Sequence, residues 1–168
     1  MRSKGTNRHR RKRIRLSLFI LCAILFLSCQ QETAYFSFQP VPITGWTKKD
    51  TLVFTLPPTL ESGQYRMDIG VRHTTQYAYR DLWLYIRFNL CDSIRPTSDE
   101  RVHLFLAQED GRWNGTGISG NYQSLIAYPN ILNIKINDSI NEIRITHAML
   151  DNPLKDIKDI GIRLRKNQ

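Results

Sequence analysis

Residues 82–90 read LWLYIRFNL, and every second residue in this stretch is apolar. Because side chains alternate between the two faces of a β-strand, one face of the stretch is continuously apolar. That face comprises Leu82, Leu84, Ile86, Phe88 and Leu90. The opposite face is mixed and carries Trp83, Tyr85, Arg87 and Asn89. The stretch therefore predicts a strand with one face in a hydrophobic core.

The same period of two recurs on both sides of this stretch. Further alternating segments lie at 36–38, 52–56, 65–71, 102–106, 132–136, 143–145 and 160–164. Each is predicted to bury its apolar face, which is Phe36 and Phe38 in the first segment. Turn residues such as Asp110-Gly111 and Pro129-Asn130 separate the segments, and no window has the apolar spacing of a helix. The pattern predicts an all-β fold, an antiparallel β-sandwich of jelly-roll or immunoglobulin-like type with about eight strands.

The N-terminus has the composition of an export signal. An uncharged apolar run, LSLFILCAILFLS at residues 16–28, follows MRSKGTNRHRRKRIR, which holds eight Lys or Arg and no acid. A helix of this length reaches roughly 20 Å, too short for a hydrocarbon core of about 30 Å. A basic segment before a short apolar one is typical of a secretory signal peptide.

The residues that end this apolar run resemble a bacterial lipobox: Leu25-Phe26-Leu27-Ser28-Cys29. In lipoproteins cleavage falls before such a cysteine, which is then acylated. We therefore expect a signal peptide at 1–28, lipidated Cys29 with a short tether at 29–33, and one β-sandwich domain at 34–168. The alternatives are an ordinary signal peptide with an incidental cysteine, or a short uncleaved anchor.

The formal charge of +9 is concentrated in the leader. Without the eight basic leader residues, 16 basic and 15 acidic residues remain, a net charge of +1. A nucleic-acid-binding domain needs a basic surface of its own, so that class is excluded. Cys22 would leave with the signal and Cys29 would carry lipid, so Cys91 has no disulfide partner and the fold must depend on its core.

Several stretches resemble, in order, those of a known family. They are Gly45-Trp46, Val71-Arg72, Tyr77-Ala78-Tyr79-Arg80-Asp81-Leu82, GRWNGTG at 111–117, His147-Ala148-Met149 and DIGIRL at 159–164. The family is the gliding motility lipoprotein GldH of the Bacteroidetes. The resemblance implies an outer-membrane lipoprotein required for surface gliding, working beside the machinery that exports adhesins. It carries over no catalytic residue.

The sequence offers little catalytic chemistry. Residues 115–120 fit G-x-G-x-x-G, but a dinucleotide site also needs a preceding strand and a following helix, and no helical pattern follows. His147 is in phase with Ile143 and Ile145, so it is expected to be a hydrogen-bonded core residue rather than a ligand. The chain has no G-x-S-x-G elbow and no H-x-x-x-H spacing. We expect no enzyme activity, cofactor or metal.

Two sets of residues are candidates for function or for local structure. Tyr77, Tyr79, Trp83 and Tyr85 form a candidate surface for a protein partner or a glycan. The alternative is that another segment covers this face. Gly111, Trp113, Gly115 and Gly117 form a candidate structural loop, in which Trp113 either plugs the open end of the sandwich or anchors a partner.

Short acceptor-like sequences suggest a modification of the exported protein. Asp50-Thr51-Leu52, Asp92-Ser93-Ile94 and Asp138-Ser139-Ile140 resemble the Asp-Ser/Thr-apolar pattern at which Bacteroidetes O-glycosylate exported proteins. Chance occurrence of so short a pattern is the alternative.

Together with the leader, the family resemblance implies a non-enzymatic outer-membrane lipoprotein that faces the periplasm. We expect it to be a scaffold or adaptor in a gliding or secretion-associated envelope complex, bound to the membrane by lipid and to other envelope proteins. The alternative is a carbohydrate-binding envelope lipoprotein that uses the aromatic surface.

Overall fold

The computed structural model describes residues 32–90, 99–136 and 141–167, which form nine β-strands and no helix. The strands are β1 (Thr33–Pro40), β2 (Leu52–Thr55), β3 (Gly63–Thr74), β4 (Asp81–Asn89), β5 (Glu100–Phe105), β6 (Thr116–Ile118), β7 (Asn121–Ile134), β8 (Glu142–His147) and β9 (Ile157–Lys166). The predicted leader, Cys29 and Cys91 lie outside the described residues.

The strands form two sheets in which all neighbouring strands are antiparallel. The large sheet has the order β1-β9-β3-β7-β6, and the small sheet has the order β2-β8-β4-β5. The predicted antiparallel β-sandwich is confirmed. Its strand number is nine rather than about eight, because the short β6 was not predicted.

The core lies between the apolar faces that the alternation predicts. Leu82, Leu84 and Ile86 of β4 are 0% exposed, as are Ile69 and Val71 of β3. Fully burying a side chain of this size contributes about 1.5–3 kcal/mol. A chain without disulfides in its described part is therefore held by a core shared between two sheets.

The predicted face of β1 is wrong. Phe36 is 47% exposed, and Phe36 and Phe38 pair with Arg163 and Gly161 on the outer face of the large sheet. Tyr35, which pairs with buried Leu164, packs against the core instead. The Phe38 ring packs on the outer face of the sheet instead, where it lies over the backbone at Gly161.

The predicted turn at Pro129-Asn130 is also wrong, because both residues lie inside β7. The pairing of β7 with β3 shifts here, from Arg66 opposite Ile131 to Asp68 opposite Ala127, which is a β-bulge. Only residues 121–123 of β7 pair with β6. Proline lacks an N–H donor but is tolerated at a bulge on a strand edge.

The connections divide the sandwich into two ends. The entry end is where β1 begins and β9 ends, together with loop 56–62. The distal loops at the other end are 41–51, 75–80, 106–115, 119–120 and 148–156, as the strand bounds place them. Backbone hydrogen bonds join these loops: Trp46 and Leu154 exchange a pair at 2.7–2.8 Å, and Thr75 donates to Gly120 at 3.0 Å. Most of the stretches that carry the family resemblance lie in or next to the distal loops; residues 159–164 lie within β9.

Candidate functional site

The predicted aromatic surface is not continuous, because Tyr77 faces inward. Its side chain is 4% exposed, and its hydroxyl donates to the Asp81 carbonyl at 2.9 Å. Its ring lies 5.8 Å from that of His73 and 6.4 Å from that of Trp113, measured between centroids. The prediction that Tyr77 is exposed is therefore wrong. The loop after β3 bends back, so this ring closes the distal end of the core.

Tyr79 remains at the surface but is engaged. Its hydroxyl donates to Asp151 Oδ2 at 2.7 Å, which joins loop 75–80 to loop 148–156. This hydrogen bond is the main cause that raises the pKa of Tyr79 above its ordinary value of 10.0. The contact makes Tyr79 part of the bracing of the distal loops.

Both faces of the Trp83 indole are covered. His103, its cross-strand partner on β5, stacks on it with centroids 3.9 Å apart and ring planes at 4°. The Arg101 guanidinium lies 4.3 Å from the same centroid, and two groups this close cannot share one face of the ring. No indole face is left for a sugar to stack on. Tyr85, which is 40% exposed, is the most accessible of the four predicted residues.

Trp113 packs into the distal end of the sandwich. Its ring is half-buried and lies 4.5 Å from that of His73 and 6.1 Å from that of Tyr122. Its backbone forms an isolated bridge with Ala107, and the next residue, Asn114, donates to the Leu106 carbonyl at 2.7 Å. These contacts favour the plug over the partner anchor.

The glycines after Trp113 permit close backbone approach. Gly115 has φ +87°, and a Cβ there would lie 2.2 Å from the Gln123 carbonyl oxygen. Gly117 lies under the Tyr122 ring, with 2.5 Å from a hypothetical Cβ to the nearest ring atom. The loop 106–115 is thus held against β7. Gly111, at φ +83°, serves the turn itself.

Two histidines lie inside the core, and burial lowers both pKa values below the ordinary 6.5. Nδ1–H of His73 donates to the Thr74 carbonyl at 2.9 Å. His147 is 2% exposed, so its predicted inward direction is confirmed. Its expected hydrogen bond is not, because neither ring nitrogen makes a well-aligned one with a described residue.

Two arginines face each other on the outer face of the small sheet. Arg87 of β4 is the direct cross-strand partner of Arg144 of β8, and both line a shallow groove of about 270 Å³. The same groove is lined by Lys48, Thr51, Tyr85, Asp99 and Thr146. Sequence reasoning missed this site, because the pairing of β4 with β8 could not be read from the sequence. Of the three acceptor-like residues, Thr51 is described and is exposed at the groove; Ser93 and Ser139 lie outside the described residues.

The most exposed large apolar side chains lie at the distal end, two in distal loops and one at the end of β6 beside loop 119–120. Ile43 is 102% exposed, Leu150 94% and Ile118 80%. Lys48 Nζ donates to the Leu150 carbonyl at 3.4 Å, so loops 41–51 and 148–156, which carry Ile43 and Leu150, are tied together. A sequence signal existed for Ile43 and Ile118, each a lone apolar residue in a turn-rich segment, but not for Leu150, which follows Ala148-Met149.

The other chemical motifs have structural contexts that do not fit catalysis. The G-x-G-x-x-G segment forms β6 and the turn before strand β7, whereas a dinucleotide site needs a helix there. Within the described ranges, no group of three or more His, Cys, Asp or Glu side chains is placed to hold a metal ion. Nor does any helix in those ranges have the length and apolarity to cross a membrane.

The fold and these surfaces define an antiparallel β-sandwich that presents a polar groove on one sheet and apolar loop tips at one end. A family model described as GldH lipoprotein matches residues 33–164. The chain belongs to this family, as the sequence resemblance indicated. It is 27% identical over 160 residues to a gliding motility lipoprotein GldH homolog of Christiangramia forsetii, covering 89% of this chain and 94% of that protein. Both the family and this relative are described as lipoproteins, and the relative as a gliding motility lipoprotein.

Two solved structures are distantly similar to this chain. The Gx strain of infectious bursal disease virus gives a TM-score of 0.30 at 12% identity over 80% of this chain. The structure of the Gt strain gives a TM-score of 0.29 at 13% sequence identity over 80% of this chain. This chain spans 31% and 32% of the length of those viral chains. Scores this low carry no argument about fold or function.

Proposed function

We propose that this chain is a non-enzymatic, lipid-anchored adaptor of a motility- or secretion-associated envelope complex, and that the distal loops dock its protein partner. The observation that carries the proposal is the exposure of Ile43 and Leu150 in those loops and of Ile118 at the adjoining end of β6. Three apolar tips at one end suit insertion into recesses of a partner, where buried apolar side chains supply most of the binding energy.

The anchor would hold the opposite end of the domain at the membrane. With Cys29 acylated, the three residues from 30 to 32 can extend at most ~11 Å before β1 begins at Thr33 and runs away from the entry end. The eight residues of β1 span roughly 27 Å. The distal loops would then point away from the lipid surface, which favours a protein partner over membrane insertion. We place the anchor in the outer membrane with the domain facing the periplasm.

The distal loops are suited to docking because they are already braced. Tyr79 holds Asp151, and Lys48 N–H donates to Asn152 Oδ1 at 3.0 Å. A braced loop loses less conformational entropy on binding than a free one. The loops can therefore present Ile43 and Leu150 to a partner with little further loss of conformational entropy.

The carbohydrate alternative, as first based on four aromatic residues, has weaker support. Tyr77 is buried, Tyr79 is engaged by Asp151, and the Trp83 indole is covered on both faces. Only Tyr85 remains open, and it belongs to a different surface from the distal loops.

Photo-crosslinking from the distal loops tests whether they contact a protein partner. A photo-reactive residue at position 150 should give a discrete crosslink to one envelope protein in intact native cells, and the same residue at position 131 should not. Ile131 is 39% exposed and lies on the outer face of the large sheet, which makes it a matched control.

A double variant tests whether the tips carry the affinity. Ile43→Ser with Leu150→Ser should keep the wild-type melting temperature, because both side chains are exposed, while the crosslink from position 118 is lost. Crosslinks only to lipid, or equal crosslinks from positions 131 and 150, would contradict the proposal.

A further inference from the structure

Arg87 and Arg144 are an unfavourable pair for folding. They face each other directly on neighbouring strands, a position in which like charges destabilise a sheet. Each guanidinium has its own carboxylate: Arg87 Nε and Nη2 donate to Asp99 at 2.8 and 3.0 Å, and Arg144 Nε and Nη2 donate to Glu142 at 3.0 and 2.8 Å. These acids hold the arginines in fixed orientations, and the Nη1 groups take no part in these pairs.

The groove around the two arginines has an excess of positive charge. Lys48, Arg87 and Arg144 line it, against the single carboxylate of Asp99. Glu142 lies beside Arg144 and is not among the lining residues. An anion seated between the guanidiniums would replace their repulsion by two charge-assisted hydrogen bonds, which are among the stronger ones in proteins.

The remaining lining residues suit a sugar. Thr51, Tyr85 and Thr146 bring hydroxyl groups to the groove, and Tyr85 and Thr146 are direct partners across β4 and β8. These groups can exchange hydrogen bonds with sugar hydroxyls, and the Tyr85 ring offers an apolar surface for a sugar ring. At about 270 Å³ the groove is wide enough for one sugar ring and open enough for the chain on either side of it.

We propose that this groove binds an acidic sugar, a pyranose that carries a carboxylate or phosphate, with the anionic group between Arg87 and Arg144. The two arginines select for the carboxylate or phosphate of the ligand. The three hydroxyl side chains and the Tyr85 ring select for its sugar ring. This site does not depend on the adaptor role, because it lies on the face of the small sheet rather than at the loop tips.

The experiment titrates the full-length chain, purified in non-ionic detergent, with trigalacturonic acid. Neutral galactotriose, inorganic phosphate and a triglutamate peptide are titrated in parallel. We expect saturable binding of the acidic trimer that weakens with added salt, and at least tenfold weaker binding by Arg87→Gln and by Arg144→Gln. Arg112→Gln is the matched control, an exposed arginine paired with Asp110 in loop 106–115. It should bind like the wild type.

Melting temperatures separate a lost site from a lost fold. Arg87 and its partner Asp99 are both largely exposed, so Arg87→Gln should melt close to the wild-type temperature although it binds the trimer at least tenfold more weakly. The proposal is overturned if the wild type does not bind the acidic trimer, or if the Arg112→Gln control weakens binding as much. Binding of phosphate or triglutamate as tight as that of the trimer would also overturn it, since the groove would then read charge alone.

Discussion

Gly70 of β3 and Gly161 of β9 face each other directly across the large sheet, and the ring of Phe38 lies over both. A Cβ built on either glycine would lie 2.7 Å from the nearest atom of that ring. The Arg72 guanidinium covers the ring from outside, 3.8 Å from its centroid. An aromatic side chain that covers glycines in this way replaces the missing side-chain packing of the strand.

This arrangement predicts energetic coupling between Phe38 and Gly161. Phe38→Ala should lower the free energy of unfolding by about 1–3 kcal/mol, less than a fully buried Phe because the ring is half-buried. Gly161→Ala should be costly when Phe38 is present and nearly neutral or stabilising when it is absent, since the added methyl then meets no ring. A double-mutant cycle by urea unfolding should give a coupling of at least ~0.5 kcal/mol. Phe36→Ala, next along the strand, is the control. Equal costs of Gly161→Ala in both backgrounds would refute the coupling.

Acid should destabilise the fold through its two buried histidines. Burial lowers the pKa of His73, and burial together with the Lys48 charge lowers that of His147; both lie below the ordinary 6.5 of an unfolded histidine. The unfolded chain therefore binds more protons than the folded one below about pH 6.5. Stability is full above that pH and declines as the pH falls toward the lowered values.

Melting curves at pH 7.5 and 5.5 check this dependence. His147→Leu removes two ring nitrogens that lack well-aligned hydrogen bonds, so the drop in melting temperature between these pH values should be smaller than in the wild type. The carboxylates Asp50, Asp110 and Glu61 have pKa values lowered below their ordinary values by hydrogen bonds, so they titrate below this window. A drop of the same size in the variant would mean that His147 does not contribute.

Lipidation of Cys29 is predicted from the leader sequence alone. Several acyl chains would hold the protein firmly, whereas one chain gives only marginal binding. Metabolic labelling with a fatty-acid analogue should mark the wild type but not Cys29→Ala. If the variant is labelled as strongly as the wild type, Cys29 is not the acylated residue.

Thr51 is a candidate for O-glycosylation that the fold leaves accessible. It lies one residue before β2, is exposed, and follows Asp50 at the rim of the groove. Protein from native cells should have a larger intact mass than the lipidated polypeptide. Thr51→Ala should lower that mass by at least one glycan. An intact mass equal to that of the lipidated polypeptide would exclude the modification.

Alternation predicted the strands whose apolar residues face the core, and it failed where apolar residues serve another purpose. Leu82, Leu84 and Ile86 follow the rule because their only use is burial. Phe38 does not follow the rule, because its ring packs over two glycines on the outer face of the large sheet. Pairing between distant strands left no sign in the sequence, so the opposition of Arg87 and Arg144 could not be predicted. The inward turn of Tyr77 depends on His73 and Trp113, which meet it only in the folded chain.

Truncation of Trp113 tests whether the glycine loop at 111–117 serves the fold or a partner. Its ring contacts His73, Tyr77 and Tyr122, so truncation would open the distal end of the core. Trp113→Ala should cost about 2–3 kcal/mol, less than the ~3–5 kcal/mol of a fully buried ring, because the indole is half-buried. That is a large part of the ~5–15 kcal/mol available to an ordinary domain, so protein levels in cells should fall as well. Thermal melts of the full-length chain in non-ionic detergent measure the change. Arg112→Ala is the control, because its side chain lies in the same loop and is 74% exposed. A melting temperature that stays within error of the wild type, together with loss of partner crosslinking, would make Trp113 an anchor instead of a plug.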